Sequence, residues 1–446
     1  MTLPFHAFAA DLSVKDIPDA ALKVLRRSFL DTMGVAAIGS TTRMSATAHH
    51  AATALFGAGS AGGARALMRG DLLSPAGAAM SGAFTIDSVD AHDGTSPCKG
   101  HAGSAVFPAL LALADVKTGL QGSDFAELLA IAYEVSYRTG LAQHAQCADY
   151  HTSGAWTAVG VAAACARGLG ADPDQIRHAA GIGEYHGPRS QMMRCIDHPT
   201  MLRDGVGWGA PSGVTAAWLA LAGFTGAPAL TCEDAPDLWG DLGSAWRLVT
   251  DTHYKPYPCC RWAHPAIDAA AGLMSAHGLH HSAVAGVEIR TFHNATRLAG
   301  HQPATPDEFA YSIAFPVATM IVRRQIGVEE LAESTLRDPD ILRISNATQL
   351  IDDEHFTRIS QGKRWAQVSL MLTNGDKVTA EPCTPRGDTD LPLSDVEISD
   401  KFHLFADPVL GPGRACEIEA LCAEFDSLSP ADFSRLRTLC LTAPPH

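Results

Sequence analysis

SAVFPALLALADVKTG (residues 104–119) and DFAELLAIAYEVSYRTGLA (residues 124–142) decide the class of the first half of this 446-residue chain. Their long apolar runs read as two helices, joined by a Gly-rich turn at Gly119–Gly122. Upstream, Leu22, Leu25, Phe29 and Met33 fall on one helical face between Asp19 and Ile38, behind a Pro18 suited to a first turn. Downstream, residues 155–170 and 210–223 are rich in Ala, whose small side chain permits close helix–helix contact.

The texture changes near residue 252. Val287, Ile289 and Thr291 alternate with Glu288 and Arg290, as in a strand. AQVSLMLTNGDKVTA (366–380) holds two alternating runs around Asn374–Gly375, a strong hairpin signal. The stretch EFAYSIAFPVATMIVRR (308–324) between them reads as helix. These patterns predict a mainly α protein. Its large all-helical domain comes from both chain ends, 1–251 and 398–446, with a smaller α+β domain at 252–397 inserted as a lid.

Hydrophobic residues make up 46% of the chain and charged ones 18%, which excludes a disordered protein. The N-terminus lacks a basic start followed by a long apolar run, so no signal peptide is expected. The greasiest segment, 213–230, is interrupted by Thr and Pro and reads as a buried helix rather than a membrane span. Eleven cysteines without regular spacing suggest reduced thiols and a cytoplasmic location. A net charge of −15 disfavours nucleic acid or an anionic membrane as partner, while leaving room for a local cationic pocket.

The loop HDGTSPCKGHAG (92–103) concentrates reactive side chains where Gly and Pro prevent a helix. His92, Asp93, Cys98 and His101 could ligate a metal, but none has the paired spacing of a zinc site, so no metal is expected. GAGSAG (57–62) spells a dinucleotide fingerprint, yet the Ala- and His-rich run before it reads as helix where a strand is required. No cofactor is expected. In YHTSGAW (150–156), His151 precedes a helix N-terminus that favours neutral imidazole, which suits either a base or a capping or core histidine. In PTMLRDGVGWGAPSG (199–213), Arg203 offers a fork for a carboxylate or forms a surface pair with Asp204. YKPYPCCRWAHPAID (254–268) places Lys255, Tyr257, Arg261 and His264 at the domain junction, with Cys259 and Cys260 read as packing. This kit of His, Lys, Arg and Asp suits proton transfer on a small anionic substrate. A scaffold for protein partners would not need such groups concentrated in loops.

In their order, these clusters resemble the MmgE/PrpD family, whose activities include 2-methylcitrate dehydration, cis-aconitate decarboxylation and iminodisuccinate epimerisation. The resemblance runs through LDTMGVAAIGS, SPAGAAMSGAFTIDSVDAHDGT, GHAGSAVFPALLALAD, DGVGWGAPSGVTAAWLA, KPYPCCRWAHPAID and TPRGDTDLPLS, nearly the whole chain. It implies a helical domain with an α+β lid, a homodimer, and acid/base chemistry without a cofactor in the cleft between them. By motif it implies an acidic position at Asp90 or Asp93, where the spacing is ambiguous by one residue. It further implies a hydroxyl at Thr95, imidazoles at His101 and His151, and a lysine at Lys255. Three departures stand out. A position commonly Lys is Arg203, a lid-helix Tyr aligns with Phe315, and KGHAG replaces a THPS-like stretch. The departures lead us to expect an epimerase acting on iminodisuccinate through His151 and Lys255, with His101 a third candidate and Arg203 and Arg261 holding carboxylates. The alternative is a hydro-lyase or decarboxylase acting on a tricarboxylate such as 2-methylcitrate or cis-aconitate.

Overall fold

The computed structural model describes residues 3–60, 62–298, 300–327 and 329–445. The protein is mainly α with a small α+β part. Helices Gly103–Val116 and Gly122–Gln146 form as the sequence predicts, parted by a turn in which Gly119 adopts a φ of +86°. Helix Asp19–Gly39 buries Leu22, Leu25, Phe29 and Met33. The Ala-rich segments form helices Gly154–Leu169 and Val206–Leu221, which pack almost backbone to backbone. A Cβ added at Gly209 would lie 2.5 Å from the Gly154 carbonyl oxygen.

One hydrophobic core runs from Phe5 to Leu248 and takes in Phe402 to Leu441 from the other chain end. Helices Asp395–Leu410, Pro412–Cys422 and Pro430–Leu441 thus return to the N-terminal helices. The Lys401 ammonium donates to Asp31 Oδ1 at 2.6 Å in that contact. A second core gathers Met192, Cys195 and Ile196 with residues Cys259 to Leu370. It packs on a four-stranded sheet ordered Thr348–Asp352, Val284–Thr291, Ala366–Leu372, Lys377–Thr379. The first pair is parallel and the others antiparallel. Val287, Ile289 and Thr291 face inward as their alternation predicts, and Asn374–Gly375 turns the hairpin with Gly375 at φ +93°.

The predicted helix at 308–324 is two helices, Pro306–Ala310 and Ala314–Arg323. Pro316 has no N–H to give the carbonyl of Ser312, so a continuous helix would lose a bond there. The proline instead sits comfortably in the first turn of a new one. The break frees Tyr311 from both helices. Helix Arg43–Leu55 precedes the GAGSAG turn, of which Ala61 lies outside the described residues; the strand that a dinucleotide fingerprint needs is a helix here. Among the described residues no helix is long and apolar enough to cross a membrane, and the eleven cysteines, Cys259 and Cys260 among them, are unpaired.

Two short strands position the site. Gly94–Thr95 pairs antiparallel with Thr252–His253, stitching the 92–103 loop to the segment that leads into the α+β part.

Candidate active site

His101 is fixed from both ends. Its main-chain N–H donates to Ser153 Oγ at 2.9 Å, and its Nδ1 lies 2.7 Å from the carbonyl oxygen of Asp93. A carbonyl can only accept, so Nδ1 carries the proton and, in the neutral ring, Nε2 keeps a lone pair. Burial, with the Lys255 ammonium and His92 close by, holds this imidazole well below its ordinary range. Nε2 lies 3.7 Å from Asp204 Oδ2. Burial, reinforced by the charges of Asp87 and Asp90, raises Asp204, so that it holds a proton more readily than an ordinary carboxylate. The other oxygen of Asp204 accepts from Ser153 at 3.3 Å.

Beside them Lys255, fully buried, donates through Nζ to the Asp90 carbonyl at 2.7 Å and to its carboxylate. Asp90 holds a φ of +50°. Of the five described non-glycine residues in this left-handed region, three are Asp90, Lys99 and Arg203, all at or next to this cavity. Such conformations cost of order 1 kcal/mol each and gather at functional sites. Arg261 Nη2 donates to Asp388 at 2.8 Å, and its Nη1 donates to His264 Nδ1 at 3.2 Å.

Of the candidates named from the sequence, Asp90, Thr95, His101, Lys255 and Arg261 line one cavity. Thr95 Oγ1 is buried without a hydrogen-bond partner. Three other candidates lie outside the cavity wall. Asp93 turns its carboxylate away, accepting from Gly103 N at 3.1 Å and from the Tyr133 hydroxyl at 2.6 Å. It orients His101 through its carbonyl rather than its carboxylate, which instead caps the N-terminus of helix Gly103–Val116. His151 directs Nδ1 to the Asp149 carbonyl at 2.9 Å, and its neighbour Tyr150 forms the wall. Arg203 pairs neither with a surface Asp204 nor with the cavity. Its Nη2 donates to Asp307 at 2.6 Å and to the Ser88 carbonyl at 2.9 Å, facing a second cavity of about 380 Å³.

Several lining residues escaped the sequence reading. His253 lies one residue before the quoted YKPYP stretch; its Nε2 is buried and unpartnered. Gly94 lets the two imidazoles approach, since a Cβ there would lie 2.6 Å from His101 Nδ1 and 2.7 Å from His253 Nε2. Tyr311 supplies the phenol that alignment with Phe315 had removed. Its ring lies under the Arg203 guanidinium at 5.3 Å and its buried hydroxyl has no hydrogen-bond partner; Tyr311 and Phe315 both pack in the second core, but only Tyr311 lines the cavity. Lys99 lies in the quoted 92–103 loop but was not singled out there, and Arg364 lies in no motif.

Asp90, His101 and Asp204 bring three potential metal-ligand atoms within 4.8 Å of one another. Only His101 belongs to the ligand set that the loop sequence suggested. The Lys255 ammonium already occupies the Asp90 carboxylate, and a dication there would meet that charge. The donor set fits a metal poorly.

With this geometry in hand, the MmgE/PrpD N-terminal domain model matches residues 5–238 and the MmgE/PrpD C-terminal domain model residues 257–426. The chain belongs to the MmgE/PrpD family. Among relatives, a cis-aconitate decarboxylase-like protein, oryM, of Aspergillus oryzae is 22% identical, with 97% of this chain and 95% of its own covered. The cis-aconitate decarboxylase of Homo sapiens is 24% identical, over 92% and 88% respectively. In this MmgE/PrpD chain the boundary between the two matched models falls just where the Thr252–His253 strand meets the loop of His101.

Proposed function

We propose that this protein is a lyase that works without a cofactor on a small di- or tricarboxylate, moving a proton at the carbon next to a carboxylate. The observation that carries the reading is the neutral, tautomer-fixed His101 beside the buried Lys255–Asp90 pair. In a dehydration, His101 Nε2 takes the carbon-bound proton, and the Tyr311 phenol or protonated Asp204 gives one to the departing hydroxyl. In a decarboxylation, CO2 leaves with its bonding electrons remaining on carbon, and the same donors return a proton there. Lys255, Arg261 and the Thr95 hydroxyl face the negative charge that builds on the substrate. The names of the two relatives favour decarboxylation of a cis-aconitate-like tricarboxylate.

A second reading is epimerisation of iminodisuccinate. It needs no leaving group, only acid and base from different sides, and is favoured by the origin of His101 and Lys255 in separate segments. The free Tyr311 phenol removes one reason for preferring it. In either reading Asp93, His151 and Arg203 hold the walls. Residues 1–251 and 398–446, helical but for short strands such as Gly94–Thr95, form the body, 252–397 form the lid with Met192, Cys195 and Ile196 packed into its core, and the working unit is a cytoplasmic homodimer.

The test is incubation with cis-aconitate, 2-methylcitrate and iminodisuccinate in D2O, followed by NMR. Loss of CO2 or water supports the lyase. Deuterium at the α carbon with all other atoms retained moves the assignment to the epimerase. No change in any of the three removes both.

A further inference from the structure

Two cations on the rim of the cavity have no carboxylate to face. Arg364 is buried, its Nη1 donates only to the carbonyls of Ser360 and Lys363 at 3.2 and 3.1 Å, and its guanidinium lies 5.9 Å from the Phe292 ring. Lys99 is half-buried, held at φ +56°, with its ammonium 5.6 Å over the Tyr150 ring. The Tyr150 hydroxyl in turn donates to the Lys99 carbonyl at 2.5 Å. Among the described residues no Asp or Glu oxygen lies within 4.0 Å of either charge. The other cations of the cavity are matched, Lys255 by Asp90 and Arg261 by Asp388. Burial weakens the hold of both rim groups on their protons, and for Lys99 the nearby Arg364 charge adds to it. An unpaired buried charge is strongly unfavourable unless a ligand brings the counter-charge.

Their location says which part of a ligand that would be. The inner cavity has only about 40 Å³ of free space, enough for a few waters and too little for a polycarboxylate. It adjoins an outer cavity of about 400 Å³. Lys99, Tyr150, Trp262 and Arg364 line both and form the wall between them. A substrate whose reacting carbon sits at His101 must therefore pass or span this wall.

We propose that Arg364 and Lys99 form the subsite for the substrate carboxylate farthest from the reacting carbon. The pair thereby selects a di- or tricarboxylate over a monocarboxylate. This rests on the reading above and names its specificity residues. Arg364 supplies a planar fork for two parallel hydrogen bonds, and Lys99 a second charge held on an aromatic face.

The test is calorimetric binding of tricarballylate, a tricarboxylate with neither the hydroxyl nor the double bond that the lyase reactions need. It reads the subsite independently of turnover. Wild type binds it; Arg364→Gln weakens binding about tenfold or more, Lys99→Met severalfold, and Arg364→Lys recovers part of the loss. For the substrate turned over, KM rises while kcat stays near wild type. If Arg364→Gln fails to fold because the Ser360 and Lys363 carbonyls lose their donor, Lys99→Met decides alone, since it breaks no hydrogen bond. Wild-type affinity in a folded variant overturns the subsite even if a polycarboxylate is turned over. A wild-type protein that turns over a polycarboxylate but does not bind tricarballylate also overturns it. Wild type that neither binds nor transforms any polycarboxylate overturns the functional reading, and the subsite with it.

Discussion

The imidazole of His101 is aimed by the main-chain carbonyl of Asp93, 2.7 Å from Nδ1, and not by a carboxylate. A carboxylate partner would raise the basicity of the ring and draw it towards imidazolium; a carbonyl fixes the tautomer and leaves the ring neutral. Burial lowers His101 below its usual value, so the base is intact at pH 7 and is lost only as pH falls through that depressed value. The acid limb of the kcat/KM profile is expected below the ordinary imidazole range. An acid limb centred near 6.5 or above would assign the base to another group.

Asp93 has a separate, measurable role. Burial pushes its carboxyl up to about 6. The unfolded chain releases this proton near pH 4 while the folded one keeps it, so its contribution to stability falls as pH rises from about 4 to about 6. Asp93→Asn removes that dependence and flattens Tm against pH in this window. Asp93→Ala strands Gly103 N–H and the Tyr133 hydroxyl and costs about 2–4 kcal/mol. Identical Tm profiles for wild type and Asp93→Asn would contradict this.

Lys255→Met alone cannot separate catalysis from folding, because it leaves the Asp90 carboxylate buried without its partner at a cost of about 3–5 kcal/mol. The double change Lys255→Met with Asp90→Asn removes both charges. It is expected to recover most of the lost stability in denaturant unfolding while activity stays absent. Near-wild-type turnover in the double variant would take both residues out of the chemistry.

Gly94→Ala is expected to inactivate the protein through geometry. The new Cβ would meet His101 Nδ1, His253 Nε2 and the Gly100 carbonyl, all within 2.9 Å, and rings as well as backbone would have to move. We expect a loss of about 1–3 kcal/mol in stability and a fall in kcat. Unchanged kinetics would show that the close approach of the two imidazoles is not needed.

Turnover by the protein is expected to survive EDTA. The Lys255 ammonium already pairs with the Asp90 carboxylate that a dication held by Asp90, His101 and Asp204 would need, and the two positive charges would repel. Activity abolished by EDTA and restored by one particular metal would show that Lys255 yields its place.

Much of the fold is legible from local pattern. The 2-residue alternation at Val287–Thr291, the Asn374–Gly375 turn and the apolar faces of the early helices each carry their own signal. The helix break at Tyr311 is hard to read because the sequence around it is mostly apolar, with Ser312 and Pro316 as the local clues. In the site, residues clustered in one loop could be found, as Thr95 and His101 were. Lys255 and Arg261, from a separate segment, were found because a motif of their own marked them, whereas Arg364 lies in no motif and Asp204 was read only as a partner of Arg203; both join His101 through tertiary packing. His151 and Arg203 suit the chemistry by type, but the carbonyl of Asp149, two residues before His151, and the carboxylate of Asp307, distant in sequence from Arg203, engage them.

The central claim is that His101 Nε2 handles the proton, and the most direct measurement is turnover of His101→Ala beside its melting temperature, on whichever polycarboxylate wild type consumes. Loss of a positioned acid/base group typically costs about 100- to 10,000-fold. The account predicts at least a hundredfold fall in kcat with Tm close to wild type, because the main-chain bond to Ser153 survives the change. Turnover within a few fold of wild type, or a parallel collapse of Tm and activity, would contradict it.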